Sequence, residues 1–240
     1  MNIAGLTKTT LLDYPEHVAA TIFVAGCNFR CPFCHNATLV LPDMAAPTHI
    51  DEAEVFSFLE KRKNVLSAVC ISGGEPTLAA GLPSFIRQIK ELGYLVKLDT
   101  NGSRPDVLAA LFSEGLLDYV AMDIKHTKGQ YATACGAGGT AVDGGAFADL
   151  GKIEASMALL RDSGIAHEFR TTVVRELHDE ADLLEIGEWI KGGAPWYLQT
   201  FVDNGTVIKG GFNAYGAERM EEFSRMLSER GVDVRLRGDG

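Results

Sequence analysis

No window of the chain approaches the roughly 18 consecutive apolar residues of a membrane-crossing helix. The first residues, MNIAGLTKTTLLDYPEH, also lack the basic start and apolar stretch of a secretory signal. Both absences predict a cytoplasmic protein with no membrane partner. Positive charge is scarce: 22 Lys and Arg stand against 32 Asp and Glu, a net charge of −10, and no Lys/Arg-rich run occurs. That argues against a nucleic-acid surface, whose affinity is mostly phosphate electrostatics. Cysteine is sparse and unevenly spread. Of five, Cys27, Cys31 and Cys34 fall within eight residues, while Cys70 and Cys135 stand apart. This is the wrong arithmetic for a disulfide framework, and in a reducing compartment the trio reads as a metal site.

The 240 residues fall between one and two domains at about 150 residues each, and a single α/β barrel often reaches this size. We expect one domain over residues 1–240. Short β-branched or apolar runs predict strands at 18–25, 66–72, 94–99, 117–124, 167–174, 196–202 and 232–236. Helical spacing predicts helices at 51–63, 82–92, 105–114, 149–162, 179–191 and 216–229, the first with Thr48 as a cap. Six strand–helix repeats imply parallel strands with crossover helices, which suits either an open doubly wound sheet or a barrel. The chemistry favours the barrel. Unusual residues follow the C-terminal ends of four successive strands: the cysteines, Gly73-Gly74-Glu75-Pro76, Asp99-Thr100-Asn101-Gly102 and Asp123-Ile124-Lys125. Four tips aiming at one site require curvature. The fold class expected is therefore α/β, a partial (β/α)6 TIM-like barrel with its helices outside. Gly136–Gly145 reads as a surface loop, because its glycines cost too much backbone entropy inside an element.

Cys27-Asn-Phe-Arg-Cys31-Pro-Phe-Cys34 places three thiols on the strand and loop at 17–36. Three readings compete. Structural zinc would take His35 as a fourth ligand, with adjacent Cys34 and His35 both turned toward one ion. A c-type haem would use Cys31-Pro-Phe-Cys34-His35 and leave Cys27 without a role. An iron–sulfur cubane held by three thiolates would keep one iron open to a small molecule.

The C-x3-C-x2-C spacing with Phe33 before the last cysteine, followed in order by Gly73-Gly74-Glu75-Pro76, resembles the radical S-adenosylmethionine enzymes. The segments GLTKTTLLDYP, AATIFVAGCNFRCPFCHN, SGGEP, LDTNG and MDIK resemble the glycyl-radical-enzyme activating proteins, particularly the activator of anaerobic ribonucleoside-triphosphate reductase. The resemblance implies one 4Fe-4S cluster on Cys27, Cys31 and Cys34. It also implies reductive cleavage of S-adenosylmethionine and formation of a glycyl radical on a partner enzyme. That partner would be the anaerobic reductase or another glycyl-radical enzyme of the pyruvate formate-lyase type. A flavodoxin or ferredoxin would supply the electron. A Cys3His zinc module that recruits a partner is the reading from a different class.

Within the resemblance, side chains acquire roles. Gly73 and Gly74 admit the ligand's amino group close to the backbone, and Glu75, ahead of Pro76, supports a cationic or hydroxyl-bearing part of the ligand. Phe33 packs on adenine. Asp99 and Asn101 supply acceptors near the amino group. Lys125, with Asp123 beside it, neutralises the carboxylate or binds ribose hydroxyls, and Arg170 is a further candidate for that polar region. Each has an ordinary alternative: a core aromatic, an Asx turn or a solvated ion pair. Activases that use a histidine after the sixth strand have no counterpart here, where Gln199 or Phe201 stands instead. Cys70 reads as packing, and Cys135, beside the glycine-rich run, as unconnected with the site. His35 follows the cluster loop, and the other five histidines carry no functional signal.

Overall fold

A computed structural model of the chain describes residues 1–41, 49–136, 148–192, 194–203 and 205–238. Eight strands form one sheet in sequence order: β1 (Ile3–Thr10), β2 (Ala19–Val24), β3 (Ala68–Gly73), β4 (Leu95–Thr100), β5 (Tyr119–Asp123), β6 (Ala166–Val173), β7 (Trp196–Thr200) and β8 (Val234–Arg237). β1 pairs antiparallel with β2, and every later pair is parallel. The order never reverses, so the sheet has no switch point of the doubly wound kind, and the six long helices pack on its apolar face. The expected α/β architecture with outside helices is present. β1 and β8 do not pair with each other, so the sheet is an unclosed barrel with one strand more on each side than the six-repeat count.

The helices are α1 (Ala37–Val40), α2 (Glu52–Arg62), α3 (Leu82–Glu91), α4 (Pro105–Ser113), α5 (Tyr131–Ala134), α6 (Leu150–Ser163), α7 (Glu180–Ile190) and α8 (Ala217–Glu229). Asp51 occupies the position before α2, and Thr48 lies outside the described residues. So does the glycine-rich run beyond Gly136. The six long helices match their expected spans within about two residues, the usual fraying of helix ends. β1 had no counterpart in the sequence pattern, because IAGLTKTT has glycine and polar residues where a buried strand alternates. Pairing with β2 makes it a strand.

Side chains alternate across each strand, and the two faces differ sharply. Val69, Ile71, Val96, Leu98, Val120, Met122, Phe169, Trp196 and Leu198 pack into one core with helix residues such as Leu59, Phe85, Leu108, Leu160 and Ile186. The opposite face carries Thr21, Cys70, Lys97, Asp99, Asp123, Glu168, Arg170 and Arg237. Its lower end is closed by Tyr14, which packs on Ala19, Ala68, Leu95 and Tyr119. Glu168, fully buried, is satisfied by both Arg237 nitrogens at 2.5 and 3.0 Å and by the Tyr119 hydroxyl at 2.8 Å. A buried charge paired in this way escapes the penalty of isolation. The upper end, at the C-terminal strand tips, is open.

Candidate functional site

Gly26, at φ +95°, turns the chain off β2 into the cysteine loop. The loop is sewn to the next strand tip by two backbone bonds, Gly74 N–H to the Val24 carbonyl at 2.8 Å and Glu75 N–H to the Gly26 carbonyl at 2.7 Å. This approach explains the paired glycines. A Cβ at Gly73 would stand 2.3 Å from the Val24 carbonyl oxygen, and one at Gly74 2.0 Å from that of Gly26. Neither neighbour is a movable side chain. Gly74→Ala is therefore expected to cost about 1–3 kcal/mol through overpacking and to displace the cysteine loop. Urea unfolding together with iron content after anaerobic reconstitution checks this, and unchanged values in both would contradict it.

The loop closes over a cavity of about 410 Å³, within the size range of small-molecule sites. Cys27, Cys31, Phe33, Cys34 and His35 line it, facing Gly73, Gly74, Asp99, Asn101, Asp123, Lys125, Arg170 and Gln199. The loop also contributes Phe29, Cys31 and Phe33 to the core, which anchors it. Arg30 ties it internally, donating to the Cys27 carbonyl at 2.6 Å and the Phe29 carbonyl at 2.9 Å. The segment after β7 supports it from outside, with Lys209 N–H on the Pro32 carbonyl at 2.9 Å and the Thr206 hydroxyl on the His35 carbonyl at 2.9 Å.

Ion pairs link three strand tips. Lys97 Nζ lies 2.5 Å from Asp99, Arg170 is 3.1 Å from Asp99 and 2.9 Å from Asp123, and Lys125 is 2.9 Å from Asp123. Desolvation opposes ionisation of both carboxylates. The Arg170 guanidinium, with Lys97 at Asp99 and Lys125 at Asp123, outweighs it and holds both below the usual carboxylate range. Burial works against the Lys125 cation, but Asp123 and the Cys31 and Cys34 sulfurs raise its pKa. Three cations meet two carboxylates in this chain of pairs, and a third carboxylate, Asp13, lines the same cavity. Lys125 lies beside the thiols.

Among the thiols, burial pushes Cys27 up to about 12 and raises Cys34 as well. Contact with the Cys135 thiol, against the effect of burial, lowers Cys31. Among the described residues no three Cys, His, Asp or Glu side chains converge on a point one metal ion could occupy. A cubane takes its cysteines at separate irons, and three thiols line this one cavity. The donor set fits a three-thiolate cluster.

The family model described as the Radical SAM superfamily matches residues 21–190. The chain belongs to this superfamily. Its members use a 4Fe-4S cluster and S-adenosylmethionine, and these are the cofactors of this radical SAM enzyme. A Methanocaldococcus jannaschii protein, whose name provisionally assigns it as a glycyl-radical enzyme activating enzyme, is 33% identical over 202 residues, 83% of this chain and 79% of its own length. A 7-carboxy-7-deazaguanine synthase of Methanopyrus kandleri is 32% identical over 126 residues, 44% of this chain and 48% of that protein. Among solved structures, Streptococcus suis SuiB with its precursor peptide superposes with a TM-score of 0.68 at 13% identity. The match covers 91% of this chain, which spans about half of SuiB. The anSMEcpe enzyme with bound AdoMet gives 0.63 at 16%, covering 89% of this chain and 61% of that one. These likenesses concern the fold. No helix among the described residues is long and apolar enough to cross a membrane.

The structure brings Cys27, Cys31, Phe33, Cys34, Gly73, Gly74, Asp99, Asn101, Asp123, Lys125 and Arg170 to one cavity. Glu75 and Pro76 are buried beside it and are not among the lining residues. The Glu75 carboxylate accepts from Thr77 N–H at 3.1 Å, the Thr77 hydroxyl, the Thr100 hydroxyl at 2.8 Å and Asn101 N–H at 2.6 Å. Its donors come from the protein, so it staples the tips of β3 and β4. Asn101 is similarly occupied, its amide donating to Asn28 at 2.9 Å and toward Cys27 Sγ at 3.9 Å, while its oxygen accepts from Ser103 N–H. Gln199 lines the cavity and Phe201 does not.

Sequence reasoning missed Lys97 and His178. Lys97 was legible as a charged residue two before Asp99 on the same strand face. Cys70, also fully buried, sits 3.9 Å from the Lys97 nitrogen on the polar face. His178 stacks on His126 at 4.6 Å, accepts from Val174 N–H at 3.1 Å and donates to the Lys125 carbonyl at 3.0 Å, so it fixes the segment that presents Lys125. Burial, with His126 beside it, lowers the His178 pKa from 6.5 to about 4. A base with a depressed folded-state pKa contributes stability above its unfolded value, and that contribution is lost as pH falls from 6.5 toward 4. Between pH 7 and 5 the native chain is expected to lose about 2 kcal/mol more unfolding free energy than His178→Gln. Urea unfolding at both pH values measures the difference, and equal losses would exclude the linkage.

Proposed function

We propose that this enzyme is a glycyl-radical-enzyme activase, acting on an anaerobic ribonucleoside-triphosphate reductase, with Cys27, Cys31 and Cys34 as its cluster ligands. The observation that carries the reading is the relative named for glycyl-radical enzyme activation, whose 33% identity runs through 83% of this chain rather than through the cysteine loop alone. Cys27, Cys31 and Cys34 would hold a 4Fe-4S cluster, which when bound would supply the one-electron reduction that splits S-adenosylmethionine and so lets a hydrogen be taken from a glycine Cα of the partner.

The chain's own residues bind and orient. Lys125 and Arg170 meet the ligand's carboxylate. The bare backbone of Gly73 and Gly74, with Asp99 beside it, receives the amino group. Phe33 offers an apolar face to adenine, and Gln199 reaches the cavity from the β7 tip. Asp123 holds Lys125 in place, while Glu75 and Asn101 fix the strand tips and the loop. No side-chain general base is required, because the bond chemistry belongs to the cofactor. The polar face lies at the open end of an unclosed barrel, which gives a partner's backbone access. The cytoplasm, with a flavodoxin or ferredoxin as donor, is the setting that fits this reading.

The test is anaerobic reconstitution, assay of 5′-deoxyadenosine with dithionite, and paramagnetic resonance after mixing with candidate glycyl-radical enzymes. A glycyl doublet on the ribonucleotide reductase is expected. A doublet only on a formate-lyase type enzyme would move the partner, and zinc in place of iron would end the activase reading.

A further inference from the structure

The tips of β6 and β7 carry a second cavity, of about 260 Å³, beside the first. His35, Thr172, Gln199, Thr200 and Val202 line it, and His35, Thr172 and Gln199 line the main cavity as well. Its volume falls below the roughly 300 to 1,000 Å³ of sites that bury most of a drug-sized ligand, so it is an annex of the first cavity rather than a separate site. Strand pairing builds its floor, since the register sets Thr172 beside Gln199 and Val173 beside Thr200. The wall at His35 is held by the Thr206 hydroxyl, which donates to the His35 carbonyl at 2.9 Å. Behind the opposite wall stands Gly238, at φ +127°, where a Cβ would lie 3.3 Å from the Thr200 Cβ. Val202 at the rim is 51% exposed, so the annex opens to solvent.

The two spaces differ in chemistry. Asp13, Asp99, Asp123, Lys125 and Arg170 line the main cavity, whereas among the described residues no Asp, Glu, Lys or Arg lines the annex. Charged walls suit a zwitterionic sulfonium. The annex instead offers two threonine hydroxyls and the Gln199 carboxamide, groups that both donate and accept hydrogen bonds. They complement a peptide main chain, whose N–H and C=O groups must both be paired once they leave water. A residue of a folded partner also enters with chain on either side of it, so its path to the main cavity has to open to solvent, as the annex does. We propose that the annex seats the glycine-bearing segment of the partner enzyme, an uncharged stretch of chain, and that Thr172, Thr200 and Val202 are specificity-determining residues for it. The inference rests on the activase reading and leaves the charged cavity to S-adenosylmethionine. A charged side chain flanking the glycine would be desolvated against uncharged walls, and the annex rejects it for that reason.

The test compares the native chain with Val202→Trp, which narrows the rim, Val202→Asp, which charges it, and Val202→Thr, which does neither. Each is reconstituted anaerobically at full length. The readouts are affinity for the anaerobic ribonucleotide reductase, or for whichever glycyl-radical enzyme the native chain activates, and affinity for S-adenosylmethionine by equilibrium dialysis. Tryptophan and aspartate are each expected to weaken partner binding at least about tenfold, the scale of a residue central to an interface, with a much smaller change for S-adenosylmethionine. Threonine should stay close to native on both. Unchanged partner affinity in the tryptophan and aspartate chains would overturn the proposal. So would a parallel loss of S-adenosylmethionine, which would assign the annex to the nucleoside. Hydrogen exchange on the native chain decides if neither of those two chains folds: amides of 199–203 should slow when the partner is added, and unchanged exchange there would overturn the proposal. A native chain that raises a glycyl doublet on no such enzyme would instead refute the activase reading, and the proposed occupant with it.

Discussion

A chain carrying Cys31→Ser, prepared and reconstituted without oxygen, is expected to retain its fold but to hold little iron and form no measurable 5′-deoxyadenosine. The loss should exceed the roughly 10- to 100-fold typical of removing a group that merely supports a metal ligand. Serine offers a poor ligand to iron in place of a thiolate, and the two remaining cysteines leave a second corner of the cubane uncapped. The strand pairings of β2 to β8 do not pass through the loop, so circular dichroism should change little. Preserved turnover would remove Cys31 from the ligand set.

Arg170→Met is expected to lower unfolding free energy by about 3 kcal/mol, near the low end of what breaking a buried ion pair costs. Asp99 and Asp123 would lose the cation they share, while Lys97 and Lys125 would each keep one carboxylate partly compensated. Binding of S-adenosylmethionine, measured by equilibrium dialysis on cluster-loaded protein, should weaken at least about tenfold, as loss of a charge-assisted partner implies. Arg170→Lys should not restore either property, because a single ammonium lacks the planar fork that spans two carboxylates. A methionine chain as stable as the native one would show that the two lysines suffice.

The strands at 19–24, 68–73 and 95–100 and the long helices were legible because their hydrophobic periods are strong and their turns carry glycine or proline. β1 was not, since its register partner rather than its own pattern defines it. The polar face was half legible: Lys97 and Asp99, Glu168 and Arg170, and Arg235 and Arg237 alternate with apolar neighbours on strands β4, β6 and β8. Glu75 illustrates the remaining gap. Its motif predicts a ligand contact, but whether a carboxylate faces a cavity or its own backbone depends on where the β4 tip places Thr100 and Asn101.

The cysteine spacing, the paired glycines and the ordered acidic and basic residues after successive strands are local; their chemistry alone left three metal readings open, and their resemblance to a known family pointed to the cofactor class and the family. Which residues share a cation or a backbone bond around that cavity depended on packing. Arg170 bridges Asp99 and Asp123, and His178 holds Lys125, over separations of 47 to 71 residues. Such contacts follow from strand register and loop docking, which no window of sequence encodes, because the free energy that selects them is gained only when distant elements bury their surfaces against each other.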